Sequence, residues 1–388
     1  MQQSTWFTPE GLEDLLPPQA QKLEFYRRQL IDGFHLSGYD LVLPPLAEFT
    51  DSLLTGTARH MAIDTCRFTD QESGRMMGVR ADMTPQVARI VSNRLKAQGE
   101  ISRLCYVGEV LKTRNNKAKG SRSPIQVGAE IFGHSGLDSD IEIVELMLES
   151  MSRMKLDVKL SLGHVGIVDE LIALACLNAN QSKDLIDILE RKAIPEFNAF
   201  VAEHLGDSEW AQRFNQLLAY CGNAQDVIGQ ANAGFAGLSS AMDDYLNHLQ
   251  GMIDHLGKMH SVDIHLDLAD IRGYQYHTGI IFAAYSACGF LQPIAKGGRY
   301  DDIGADFGLA LPATGFSLDL RGALDLLEDT DETATQTVYA PCDSDVDLQV
   351  AIRQLKQQGI KVIKSYDAGQ VPAGSQQLVK ENDAWTVK

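Results

Sequence analysis

At 388 residues the chain is too long for one ordinary hydrophobic core and two or three domains are expected, while 44% hydrophobic and 22% charged residues describe a soluble globular protein. A formal net charge of -18 disfavours a broad nucleic-acid surface, which relies on concentrated Lys and Arg. The cysteines are scattered without the short spacings of a zinc or redox motif, no apolar run reaches bilayer length, and the N-terminus lacks the basic and apolar regions of a signal peptide; a reducing, cytoplasmic setting is expected, with no metal site and no cofactor.

Residues 1–18 are punctuated by Pro and Gly and read as an irregular arm. From Gln19 to Leu36, Leu23, Tyr26, Leu30 and Phe34 recur on one face, which predicts an amphipathic helix ending near Gly38. GYDLVLPPLAEF (38–49) reads as a short apolar strand that Pro44 and Pro45 confine to a sheet edge or a boundary, where self-association is the cheapest cover. MGVRADMTPQVARIVSNRL (77–95) reads as a strand running into a helix, with Thr84 as N-cap and Pro85 at the first helical position; Arg80, Asp82 and Thr84 share a strand face.

The stretch LCYVGEVLKTRNNKAKGSRSPIQVGAEIFG (104–133) reads as two apolar strands joined by a long cationic loop. In the second strand, period two sets Ile125, Val127, Ala129 and Ile131 on one face and Gln126, Gly128 and Glu130 on the other. That second face is either a wet face of an amphipathic strand or a seat where a small ligand lies on the backbone at Gly128 with its cationic group held by Glu130.

Asp138 to Met154 reads as an amphipathic helix capped by Asp138 or Ser139, and residues 158–163 as a strand. From His164 to Leu256 the pattern is mostly helical, and its polar, weakly patterned middle, 178–233, reads as an inserted helical subdomain. DIRGYQYHTG (270–279) gathers Arg272, Tyr274, Gln275, Tyr276 and His277 at a glycine turn, as a surface hairpin or as ligand contacts. A Gly-rich turn, KGGRYDDIG (296–304), precedes a strand and helix in LPATGFSLDLRGALDLL (311–327). The acidic run 328–336 reads as a linker, and residues 337–388 as a small strand, helix, strand domain with further strands near Gln377 to Val379 and at the end.

Seven motifs, PEGLEDLLP, GYDLVLPPLAEF, VRADMTPQVAR, YVGEVL through QVGAEIFG, IRGYQYHTG, GGRYDD and PATGF, occur in an order and spacing that resembles the catalytic domain of histidyl-tRNA synthetases. The resemblance runs from residue 9 to about 327. It implies an α+β, class II aminoacyl-tRNA synthetase-like antiparallel sheet flanked by helices across 1–327, with the helical insertion within it, a small C-terminal α/β domain, and GYDLVLPP at a homodimer interface. It further implies a histidine pocket built from Asp82, Thr84, Gln126, Glu130, Arg272, Tyr276 and His277. In it, Glu130 and Asp82 suit an α-ammonium, Gln126 and Thr84 supply neutral hydrogen bonds, and Arg272 neutralises the ligand carboxylate. Asp82 stands where that family has Glu, and His277 where it has a second tyrosine.

The departures cluster at the nucleotide. Lys112 replaces a phosphate-gripping arginine, Arg114 replaces a glutamate on the adenine side, and the closing Glu-Arg pair reads Arg321-Gly322, with Asp319 where a glycine is expected. Lysine lacks the planar fork of arginine, and Gly322 supplies no cation. No catalytic residue is therefore expected. A kept amino-acid pocket beside a dismantled ATP site resembles the regulatory subunits of ATP phosphoribosyltransferase. That resemblance implies a short-form catalytic subunit as partner, a hetero-octamer, histidine as ligand, and no tRNA or membrane partner. The rival reading is a divergent, still active histidyl-tRNA synthetase; a third is a free histidine-binding or RNA-interacting module without this enzyme partner. The loop cations Lys112, Arg114, Lys117, Lys119 and Arg122 are either a solvated basic loop or part of a partner interface or anion-binding loop.

Overall fold

The computed structural model describes residues 7–95, 100–114, 121–287, 292–327, 336–367, 369 and 371–388. Two compact units divide the chain, Met1–Leu327 and Glu328–Lys388. Lys117, Lys119 and most of the expected linker lie outside the described residues.

The first unit begins with α1 (Gln19–Leu36), which buries Leu23, Tyr26, Leu30 and Phe34 on the face that their spacing predicts. The strand β1 (Asp40–Leu41) follows, then β2 (Ala47–Phe49), α2 (Thr50–Leu53), β3 (Arg67–Thr69), β4 (Met76–Val79) and α3 (Thr84–Ile90). The GYDLVLPPLAEF stretch is thus divided: β1 pairs with the main sheet at its edge, and β2 joins β3 and β4 in a separate three-stranded sheet. Pro44 and Pro45 fall between β1 and β2, where no ladder needs their missing N–H groups.

The long hairpin forms β5 (Ser102–Glu109) and β6 (Ile125–Phe132), and α4 (Leu137–Arg153) and β7 (Val158–His164) follow. Next come α5 (Val165–Leu174), α6 (Ala179–Glu190), α7 (Ile194–His204), α8 (Glu209–Ala219), β8 (Cys221–Asn223), α9 (Ala224–Phe235) and α10 (Ser240–Met259). The unit closes with β9 (Asp263–Asp267), β10 (Ile280–Ser286), β11 (Pro293–Arg299), β12 (Ala313–Asp319) and α11 (Leu320–Leu324).

Among the described residues the main sheet has nine strands in the order β1-β5-β6-β12-β11-β10-β7-β9-β8. Its middle, from β5 to β7, is antiparallel throughout. Val127, Ala129 and Ile131 of β6 bury against Ile143, Val144 and Met147 of α4, which leaves Gln126 and Glu130 on the opposite face. Each such fully buried aliphatic side chain contributes about 1.5 to 3 kcal/mol relative to an exposed one.

Register carries that opposite face across the sheet. One row runs Leu104, Glu130, Gly315, Gly298, Ile281, and the next runs Tyr106, Gly128, Ser317, Lys296, Ala283. The 178–233 stretch, expected as an inserted helical subdomain, holds one short strand besides its helices. Its β8 pairs with β9, and Leu185, Phe197, Phe214 and Ile228 join the core that contains Ile264 and Leu266. Its apolar residues lacked a clean period because four short helices each present only a few of them to this shared core.

The capping expectations change as well. Gly136 precedes α4 with no side-chain cap, and Met83, not Thr84, occupies the cap position of α3. In the second unit, β13 (Thr337–Pro341), α12 (Val346–Gln357), β14 (Lys361–Ser365), β15 (Gln376–Glu381) and β16 (Ala384–Val387) form a sheet ordered β14-β13-β15-β16. Its small core is Val338, Ala340, Leu348, Ile352 and Leu378.

Candidate functional site

A cavity of about 560 Å³ opens on the sheet face that carries Glu130. Asp82, Thr84, Glu130, Arg272, Tyr276 and His277 all line it, so six of the seven expected site residues come together from three separate stretches of chain. The seventh, Gln126, lies behind Asp82. Its Nε2 donates to Asp82 Oδ1 over 3.0 Å, and its Oε1 accepts from the Met83 N–H over 2.9 Å. The Thr84 N–H donates to the same Asp82 oxygen over 2.8 Å, which fixes that carboxylate at the start of α3. With its backbone N–H thus engaged, Thr84 turns its hydroxyl into the cavity instead of capping the helix.

Glu130 forms the floor and is 1% exposed. Tyr106 Oη donates to Glu130 Oε1 over 2.9 Å, Thr84 Oγ1 donates to the same oxygen over 3.1 Å, and the Tyr300 hydroxyl donates to Oε2. Burial pushes the Glu130 carboxyl up to about 8; the tyrosine hydroxyls oppose the rise and the Asp82 charge adds to it. Burial also lifts the Tyr106 and Tyr300 hydroxyls well above the usual phenol range, so both remain donors. A carboxyl so placed takes its charge at neutral pH when a cation or N–H donor is brought to it.

Two glycines explain the shape of this floor. A Cβ on Gly315 would stand 1.4 Å from Glu130 Oε2, so only bare backbone fits beside the carboxylate. A Cβ on Gly128 would meet Tyr106 Oη at 2.5 Å. Gly128 therefore seats the Tyr106 ring, not a ligand, which corrects the expectation drawn from the strand pattern. Tyr106 and Tyr300 are the residues that motif spacing missed. The available signals were the glycine across from Tyr106 in the ladder and the position of Tyr300 directly after Gly-Gly-Arg. In GGRYDD the alternation of faces sends Arg299 the other way, where its Nε reaches Asp140 Oδ2 over 3.0 Å.

On the facing wall, Arg272 Nε lies 2.8 Å from both carboxylate oxygens of Asp270, which is 2% exposed. His277 stands between the backbones of Gly273 and Gly298, and desolvation pushes its imidazole down to about 4, so the ring is neutral at physiological pH. Its Nδ1 has no hydrogen-bond partner among the described residues. Tyr276 directs its hydroxyl at Met61 Sδ, whereas Tyr274 turns away to Asp169.

A profile of the histidyl-tRNA synthetase family matches residues 11–323. An ATP phosphoribosyltransferase regulatory subunit from Hydrogenovibrio crunogenus is 60% identical over 99% of this chain and 99% of its own. Another, from Chromohalobacter salexigens, is 43% identical over 99% and 98% respectively. The chain belongs to the ATP phosphoribosyltransferase regulatory subunit family. Its fold is the α+β, class II synthetase-like one. A solved structure from Bacillus halodurans, described as an ATP phosphoribosyltransferase regulatory subunit/histidyl-tRNA synthetase, superposes with TM-score 0.83 at 23% identity over 96% of this chain and 95% of that one. A histidyl-tRNA synthetase from Nostoc gives 0.78 at 17% identity over 96% and 88%.

In this family member Arg114, Arg321 and Asp319, at positions that depart from the synthetase pattern, and the loop arginine Arg122 have partners outside the cavity. Lys112, Arg114 and Arg122 do not line the cavity. Arg122 Nε donates to the Lys112 carbonyl over 3.0 Å and Nη1 to the Glu10 carbonyl over 3.4 Å, while its backbone N–H donates to Gly11 O over 2.7 Å. Arg321 reaches the Glu13 carbonyl over 2.6 Å, and Arg114 lies 3.5 Å from Asp64. Asp319 caps α11 by accepting the Gly322 N–H over 3.1 Å. Arg122 and Arg321 thus hold the N-terminal arm against the sheet. No helix among the described residues is long and apolar enough to cross a membrane.

Proposed function

We propose that this chain is a non-catalytic regulatory subunit of ATP phosphoribosyltransferase that activates a short-form catalytic subunit and relays feedback inhibition by histidine in the first step of L-histidine biosynthesis. One observation carries the reading: a built, two-carboxylate pocket shares its sheet with a nucleotide side where Arg122 and Arg321 are engaged by backbone carbonyls and Arg114 lies beside an aspartate. Histidine bears both an α-ammonium and an imidazole N–H, and carboxylates at two depths, Asp82 nearer the rim and Glu130 at the floor, suit a ligand with two such groups. A pocket with no chemistry attached regulates by binding two states of a complex unequally, and a coupling of about 1 to 3 kcal/mol changes output about 5- to 150-fold.

The working unit is a cytoplasmic hetero-octamer in which this chain also pairs with itself. Leu41, Leu43 and Leu46 are 45%, 72% and 51% exposed around the edge strand β1, a surface that a second copy would cover. A net charge of -18 disfavours tRNA as a partner. The test is to mix the purified chain with a short-form catalytic subunit and follow turnover of ATP plus phosphoribosyl pyrophosphate with and without histidine. Activation that histidine reverses supports the proposal. An unchanged rate, or pyrophosphate release from histidine and ATP by this chain alone, defeats it in favour of a free binding module or a working synthetase.

A further inference from the structure

We propose that Asp270 is a positioning residue of the site: it does not touch the ligand, but fixes Arg272 so that one edge of the guanidinium faces the cavity and receives the carboxylate of a bound amino acid. The proposal rests on the pocket reading above and names the residue that gives Arg272 its aim.

Asp270 holds both ends of Arg272. Its Oδ1 accepts the Arg272 backbone N–H over 3.1 Å, the two-residue reach that a short aspartate side chain closes as a turn. The same carboxylate takes the side chain: Arg272 Nε lies 2.8 Å from each oxygen, and Nη2 donates to Oδ2. That fork occupies the Nε edge of the planar group and leaves the Nη1 edge for a second carboxylate. The turn is itself fixed from behind. Asp267, 7% exposed, accepts the Ala269 N–H at Oδ1 over 3.1 Å and the Asp270 N–H at its carbonyl over 3.2 Å.

Placement separates the two roles. The Arg272 side chain is 42% exposed and lines the cavity, whereas Asp270 is 2% exposed and does not line it. The Tyr285 ring, with its centre 5.4 Å from the guanidinium carbon, covers a further side. Two effects of Asp270 oppose each other. Its charge repels an incoming carboxylate, and its grip spares Arg272 the loss of rotamer freedom that binding would otherwise demand. Water at the exposed guanidinium screens the repulsion but leaves the entropy untouched, so positioning prevails.

Calorimetry on the full chain with L-histidine and with histamine, which lacks the carboxylate, tests this in wild type, Asp270→Asn, Arg272→Gln and the double variant. Asparagine keeps an oxygen for the backbone turn and loses the fork. The expected result is that Asp270→Asn and Arg272→Gln each weaken histidine about tenfold, that the double variant binds it no more weakly than Arg272→Gln alone, and that histamine is unchanged throughout. Wild-type or tighter histidine binding in either single variant, additive losses in the double variant, or an equal loss for both ligands in Asp270→Asn overturns the assignment and leaves the pocket reading standing. Absence of histidine binding by the wild-type chain removes both.

Discussion

Around Glu130, hydroxyls from Thr84, Tyr106 and Tyr300 converge on one carboxylate from three separate parts of the chain. Around Arg122, guanidinium groups reach carbonyls of residues 10, 13 and 112. Both regions belong to the first unit, and both draw on motifs shared with a nucleotide-using enzyme family. The first gathers buried carboxyl and hydroxyl groups at the floor of a cavity, where a carboxyl that burial holds largely protonated gains its charge when a cationic ligand arrives. The second satisfies its polar groups internally, which stabilises an arm and leaves little to offer a phosphate. Binding and structural roles are thus separated by what each cation or carboxylate faces, not by residue type.

Breaking the first region should have the largest effect. Glu130→Gln keeps the shape and removes the charge, and histidine affinity measured by calorimetry should fall at least about 100-fold. Retained affinity would show that the floor carboxylate is not the anchor.

The pH dependence sharpens the same point. The Glu130 carboxyl is raised to about 8 in the folded chain against an ordinary value of 4.5, so between these values the folded state holds a proton that the unfolded state has lost. Stability of the ligand-free chain should therefore fall as pH rises from about 5 to 8, and Glu130→Gln should flatten that slope in denaturant midpoints. Over the same window histidine should release a proton on binding, so its affinity should rise with pH and its binding heat should depend on the buffer.

Gln126→Ala tests positioning at one remove. It leaves the cavity lining intact but frees Asp82 from its 3.0 Å donor, and a loss of about tenfold in histidine affinity is expected. The smallest effect belongs to the second region. Arg122→Ala should cost about 1 to 2 kcal/mol of unfolding free energy through the arm and leave histidine affinity unchanged. A matching loss of affinity would mean that the two regions are coupled.

Much of the fold was legible because its signals are local. The α1 face repeats every three to four residues, β6 alternates in sequence from Ile125 to Ile131, and the C-terminal strand, helix, strand pattern lies within one short run. The motif spacing also located six of the residues that line the cavity. Gly128 misled because a glycine on a strand is equally a seat for a ligand or for a neighbouring ring, and the sequence names no neighbour.

By itself, then, the sequence determined the elements, their faces and the family. Tertiary structure alone decided that Tyr106 and Tyr300 meet at Glu130, that Gln126 stands behind Asp82, that Asp270 holds Arg272, and that Arg122 and Arg321 serve the arm. The reason is that periodicity is fixed by neighbours a few residues apart, whereas these meetings depend on the register of strands brought together from distant parts of the chain.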